Sequence, residues 1–237
     1  MAERALVTGA GRGIGAELAR QLAAIGYEVL VAGRDLDAAE VVASSLRGDG
    51  LAARAVRLDL DDAASISSLA EALGDEPLDV LVNNAAAFAD WSETASTADL
   101  DAARAVMETN LLGTWAVIQA ALPALRRSTS ARIVNVGSGS GSHGDSAFGL
   151  AVNPAAASYA ISKAAVHALT AKLATELSAD GIRVDAADPG LTATAPGMEA
   201  MGARPIPDGA RSIIDAVLRD PTAPTGTFTR DGHNLPW

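Results

Sequence analysis

The sequence predicts an α/β fold, a doubly wound parallel sheet formed by one domain over residues 1–237, and three observations carry that expectation. Short apolar runs alternate with longer stretches of helical spacing along the whole chain, a pattern that right-handed crossovers turn into a parallel sheet covered on both faces. The first apolar run ends in a glycine-rich turn, Thr8-Gly9-Ala10-Gly11-Arg12-Gly13-Ile14-Gly15. The composition is 49% hydrophobic but only 3% aromatic, so the core must be built from Ala, Val, Leu and Ile, which suits helices packed closely on a buried sheet.

In chain order, Ala5-Leu6-Val7 reads as a strand, the glycine turn follows, and Glu17 to Ile25 carries apolar residues at helical spacing. Val29 to Ala32 is a second buried strand, and Asp35 is placed to cap a helix reaching Leu46. The alternation repeats with a strand near 52–58, a helix near 62–73 and a strand at Asp79-Val80-Leu81-Val82. A looser section, 87–98, precedes helical patterns over 99–127 that break near 109. Ile133 to Val136 is a fifth strand, followed by a Gly/Ser-rich loop from 137 to about 149 and a helix extending to about Ser178. A sixth strand starts at Ile182 and ends near Asp188-Pro189-Gly190; a Gly/Pro-rich segment (191–207), a helix near 208–219 and a last strand at Gly226 to Thr229 complete the chain.

Composition also excludes function classes. A net charge of −11, from 18 Lys+Arg against 29 Asp+Glu, argues against nucleic acid or an anionic membrane as partner, since both require a basic footprint. The chain has no cysteine, and its three histidines, His143, His167 and His233, lie far apart without ligand spacing; no metal site is expected. The N-terminus shows no signal-peptide pattern and no apolar run is long enough to span a bilayer, so a cytoplasmic location is expected.

Two stretches carry chemistry. The first turn offers backbone N–H groups beside a helix N-terminus, which is what a pyrophosphate needs, at the carboxyl ends of the strands. Tyr159 and Lys163 fall four residues apart at the head of an Ala-rich run; on a helix they share one face, and the ammonium could lower the phenol's pKa enough for acid–base work. Taken alone, that pair also fits an aromatic ring packed on a lysine stem.

Thr8, Gly9, Gly13 and Gly15 match T-G-x-x-x-G-x-G, and the chain here resembles the short-chain dehydrogenase/reductase family. Asn83-Asn84-Ala85-Ala86, Asn110, Ser138 after the fifth strand, Tyr159-x-x-x-Lys163, and Pro189-Gly190 with Thr194 follow in the family's order. The resemblance implies a single Rossmann-fold domain of about seven strands ordered 3-2-1-4-5-6-7, and an oxidoreductase that moves a hydride between nicotinamide and a carbonyl or secondary alcohol. It assigns Tyr159 to proton transfer, Lys163 to the phenol and the nicotinamide ribose, Ser138 to the substrate oxygen and Asn110 to a water linking Lys163 to solvent. Asn110 also fits a helix kink or cap, and Ser140 and Ser142 share the loop with Ser138, although only Ser138 directly follows the strand.

The cofactor expected is NADP(H). A carboxylate for the NAD ribose would stand near position 33, where the chain has Gly33, while Arg34 and Arg12 offer guanidiniums for a 2′-phosphate. The implied cofactor contacts are Gly9, Arg12, Gly13, Ile14, Gly15, Arg34, Asp59, Leu60, Asn84, Ala85, Tyr159, Lys163, Pro189, Gly190 and Thr194. Asp188 departs from an asparagine common in the family, and a carboxylate beside the nicotinamide needs a partner or a raised pKa.

The long interval from Ser138 to Tyr159, with Gly33-Arg34-Asp35 and the tail ending in Trp237, resembles the carbonyl-reductase branch. Substrate loops are expected at 87–98, 139–157 and 191–207, where Phe88, Trp91, Phe148, Leu150, Leu191 and Met198 favour an apolar or aromatic ketone or aldehyde. Helices near 99–127 and 157–178 would form the faces of a homodimer or homotetramer, with a monomer equally open. A non-catalytic NADP-binding sensor on the same fold is the alternative function, and it predicts loss of Ser138, Tyr159 or Lys163, all of which are present.

Overall fold

The computed structural model describes residues 2–237. The elements are β1 (Arg4–Thr8), α1 (Gly13–Ala24), β2 (Glu28–Gly33), α2 (Leu36–Gly48), β3 (Ala53–Arg57), α3 (Ala63–Leu73), β4 (Val80–Asn83), α4 (Leu100–Met107), α5 (Thr114–Leu125), β5 (Arg132–Val136), α6 (Ala157–Leu177), β6 (Arg183–Ala187), α7 (Ile206–Val217), β7 (Phe228–Arg230) and β8 (His233–Asn234). The sheet order is β3-β2-β1-β4-β5-β6-β7-β8. The expected seven-strand order is therefore present, with one addition: β8 folds back antiparallel on β7, pairing Thr229 with Asn234 and Arg230 with His233. No apolar pattern marks that short edge hairpin in the sequence.

Strand alternation decides which core each residue joins, because successive side chains point to opposite faces. Leu6, Leu30, Leu81 and Ile133 pack with α3, α5 and α6, while Val7, Val31, Val82 and Val134 pack with α1, α2 and α7. Asp35 caps α2 as expected, its carboxylate accepting from Ala38 N at 3.1 Å. The expected break near 109 is a π-helical turn over Glu108–Gly113 between α4 and α5. Gly113 lets that turn approach the β3–α3 loop, since a Cβ there would stand 2.6 Å from Leu60 O.

The strand order reverses between β1, which pairs with β2, and β4 on its other side. A crevice at the carboxyl ends of the strands follows from that reversal. No helix is long and apolar enough to cross a membrane among the described residues, and no group of acidic, His or Cys side chains there could hold a metal.

Candidate active site

On the β1 side, the loop after β4 braces the glycine turn. Thr8 Oγ1 accepts from the amides of Asn84 and Ala85, each at 3.0 Å, and Asn84 Nδ2 donates to Thr8 O at 2.9 Å. Gly9 adopts φ +64°, and a Cβ on Gly15 would stand 2.3 Å from Gly9 O and 2.6 Å from Asn84 Nδ2. Arg12 starts α1 in extended conformation without a side-chain cap, so the N–H groups of the first turn are free for an anion. This cradle, which a methyl group would fill, fits the pyrophosphate of a dinucleotide. Ile14 packs against the α1 side of the core and Leu60 is buried under the π turn. Arg12 and Arg34 are exposed and make no ion pair among the described residues. Asp59 lies half-buried at the end of β3, its amide donating to Ser65 Oγ.

On the β5 side, α6 carries the candidate pair Tyr159 and Lys163. Lys163 is only 3% exposed. Its Nζ donates to Val136 O at 2.7 Å and lies 5.6 Å from the centroid of the Tyr159 ring. Burial pushes the ammonium down to about 8, with the Asp188 charge opposing. The expected lowering of the Tyr159 phenol is not what the protein displays. Burial raises it above its ordinary value, with Ser138 opposing and the Asp188 charge adding to the rise. The reason is geometric, since Nζ is held over the ring face by a backbone carbonyl. Tyr159 is thus held in its protonated form.

Ser138 follows β5, and its Oγ accepts from Ser140 N at 3.2 Å. Ser142 is excluded as its competitor, being fully buried with its hydroxyl donated to Pro236 O at 2.7 Å. The Ser138 amide donates to His167 Nε2 at 3.4 Å. His167 is 4% exposed and packs on Phe228 and Trp237. Burial, reinforced by Lys163, lowers its pKa to about 4, so it supports Ser138 as a neutral acceptor. The sequence reading gave His167 no role; its signal was the repeat Tyr159, Lys163, His167 at four-residue spacing along one helix face.

Asn110 is buried in the π turn. Its side chain accepts from Ala87 N at 2.7 Å and donates to Ala87 O and Ser162 Oγ, each at 3.0 Å. The side chain therefore ties the loop after β4 to α6.

The 87–98 loop lies over Tyr159. Phe88 stacks on the phenol ring at 4.6 Å between centroids, and Trp91 tilts against both at 4.8 and 5.7 Å. Glu93, overlooked in the sequence, is 7% exposed and accepts from Ser158 N at 2.8 Å and from the Ser158 hydroxyl. It substitutes for an N-cap that Ala156, left-handed at φ +52°, does not supply. Asp188 has the partner it required, Arg230, and its Oδ1 accepts from Gly190 N at 2.6 Å. Pro189 O accepts from Arg204 Nε at 2.6 Å, and Thr194 is exposed beyond them.

The comparisons with known proteins show the family to which this fold belongs. The chain is 37% identical over 192 residues to the rhamnolipid-biosynthesis 3-oxoacyl-acyl-carrier-protein reductase of Pseudomonas aeruginosa, covering 78% of this chain and 71% of that one. It is 35% identical over 222 residues to the oxidoreductase UcpA of Salmonella typhimurium, covering 91% and 78%. Among solved structures, the Pseudomonas aeruginosa RhlG/NADP active-site complex superposes with a TM-score of 0.78 at 33% identity, covering 95% and 93%. The family described as short chain dehydrogenase matches residues 3–203, from the first strand through the segment that follows Gly190, and the chain belongs to that family of oxidoreductases.

Proposed function

We propose that the protein is an NADP(H)-dependent carbonyl reductase acting on an apolar or aromatic ketone or aldehyde, or on the corresponding secondary alcohol in reverse. The observation that carries this reading is Lys163, an ammonium 3% exposed and bonded only to a backbone carbonyl, one helical turn from a phenol kept protonated by burial. Such an arrangement costs stability and is found where chemistry uses it.

When bound, the nicotinamide supplies the hydride for the carbonyl carbon. Tyr159 gives its proton to the carbonyl oxygen, and Ser138 holds that oxygen by hydrogen bonding as charge develops. Lys163 donates to the ribose beside the phenol. Asn110 orients the loop after β4 against α6. Gly9, Gly13, Ile14 and Gly15 cradle the pyrophosphate, Asn84 and Ala85 fix that turn, and Asp59 and Leu60 border the adenine. Pro189, Gly190 and Thr194 bound the nicotinamide. The two exposed guanidiniums, Arg12 and Arg34, support a 2′-phosphate, and the RhlG structure supports the same choice through its bound NADP. Phe88 and Trp91 beside Tyr159 support an apolar or aromatic substituent on the carbonyl. Exposed Leu112, Trp115 and Ile161, on the helices expected to form dimer faces, support self-association.

A second reading, a 3-oxoacyl thioester carried on a protein, is favoured by the relatives of that activity. Following NADPH oxidation against aryl ketones, alkyl ketones and a 3-oxoacyl thioester separates the two. Tyr159→Phe is expected to lower turnover roughly 10² to 10⁴-fold while NADPH still binds. Equal rates for both proteins, or a higher kcat/KM with NADH than NADPH, would overturn the proposal.

A further inference from the structure

Asp188 sits at the end of β6 and is 3% exposed. Its Oδ2 accepts from Gly139 N at 2.8 Å, and its Oδ1 accepts from Gly190 N at 2.6 Å. One carboxylate therefore holds both the residue after Ser138 and the glycine of the nicotinamide-side loop. Arg230, at the end of β7, donates to Asp188 Oδ2 from Nε at 3.2 Å and from Nη2 at 2.5 Å. The same Nη2 donates to Asp145 Oδ2 at 3.1 Å, in the 139–157 loop. Asp145 in turn accepts from Ala147 N and Phe148 N, each at 2.8 Å.

The arrangement leaves no slack. A Cβ on Gly139 would stand 2.6 Å from Asp145 Oδ2 and 2.8 Å from Arg230 Nη2. The neighbouring residue clamps the Pro189-Gly190 loop, with Asp231 accepting from Arg204 Nη1 at 2.8 and 3.0 Å while Arg204 Nε donates to Pro189 O.

We propose that Arg230 is a positioning residue which, through Asp188 and Asp145, sets the Ser138 loop and the Pro189-Gly190 loop relative to each other, so that one buried charge aligns substrate oxygen and nicotinamide. The inference rests on the roles given above to Ser138 and to Pro189-Gly190. Its physical basis is that two nearly buried carboxylates need a cation between them, and that two backbone amides lose their shared acceptor if Asp188 turns away. Removing Arg230 leaves Asp188 and Asp145 as two nearly buried carboxylates with no guanidinium between them. Neutralising Asp188 in that background removes the repulsion and leaves one amide oxygen to accept.

The test compares Arg230→Met, Arg230→Lys, Asp188→Asn and the Arg230→Met/Asp188→Asn double variant, with thermal melts reporting folding. Two readouts are taken: amide hydrogen exchange at Gly139 and Gly190 in cofactor-free protein, and kcat and KM for a ketone that the wild type reduces. Arg230→Met is expected to speed exchange at those two amides and to lower kcat, each about tenfold or more, with a smaller change in KM. Arg230→Lys recovers part of the loss, and the double variant exceeds Arg230→Met in kcat. Wild-type exchange and kcat in Arg230→Met, or defects that simply multiply in the double variant, would overturn the proposal. If the wild type reduces no carbonyl, the reductase reading fails instead, and exchange at Gly139 and Gly190 still decides the positioning role.

Discussion

The two halves of the crevice are held together in different ways. On the β1 side, glycines, a threonine and an asparagine make close backbone approaches, and no charged side chain is buried in the cradle. On the β5 side, buried ionisable groups do the bracing: Lys163, His167, Glu93, Asp145 and Asp188, all under 10% exposed. A nucleotide cradle made of backbone tolerates salt and acid, because it has nothing to titrate. A substrate site made of buried charge holds its shape only while each charge keeps its partner or its neutral form.

Acid offers the largest test of that contrast. His167 has its pKa lowered from 6.5 to about 4, so the folded protein prefers the neutral ring while the unfolded chain binds a proton below about 6.5. The stability this provides is complete above pH 6.5 and is lost as pH falls toward 4. Urea unfolding at pH 7.5 and 4.5 is expected to differ by roughly 2–3 kcal/mol more in the wild type than in His167→Gln, which retains an acceptor for the Ser138 amide. Identical acid sensitivity in the two proteins would place the weakness elsewhere.

A somewhat smaller effect is expected on the other side. In Gly15→Ala the new methyl must displace Gly9 O or Asn84 Nδ2, costing roughly 1–3 kcal/mol and weakening NADPH binding without moving the acid transition. An unchanged NADPH titration would mean that the cradle is softer than its geometry. The smallest effect belongs to Arg34, which is exposed and is proposed to meet the 2′-phosphate through its charge. Arg34→Ser is expected to narrow the NADPH-over-NADH preference about tenfold, from the loss of one charge-assisted contact. Full retention of the preference would assign the 2′-phosphate to Arg12 alone.

The same division explains what could be read from the sequence. The strand–helix alternation, the cap at Asp35 and the T-G-x-x-x-G-x-G turn are local patterns, while the strand order came with the family resemblance; the residues that build the cradle lie within one strand–turn–helix unit apart from Asn84 and Ala85. Ser138, Tyr159 and Lys163 were singled out by the order of the family's motifs, with Ser138 after a strand and the other two on one face of α6. Glu93 and Arg230 were not: their partners Ser158, Asp145 and Asp188 lie 65, 85 and 42 positions away, and no periodicity relates them. Asp188 announced only that it required a partner. His167 was legible in spacing but not in burial, because α6 is covered on more than one side and its sequence carries no polar stripe to show which face is wet.

The π turn at Glu108–Gly113 bears on how this chain can change over evolutionary time. It accommodates an extra residue in what would otherwise be a continuous helix, with Asn110 and Gly113 each fitted to a different neighbour. Each residue of an α-helix turns the chain by about 100°. Deleting one residue there would close the wide turn into a regular α-helix, keeping α5 in phase with α4 but losing the fits of Asn110 and Gly113. Such a deletion would leave Val117 and Ile118 on the sheet and unmoor the loop after β4 at Ala87 instead, so the wide turn secures a loop rather than a helix.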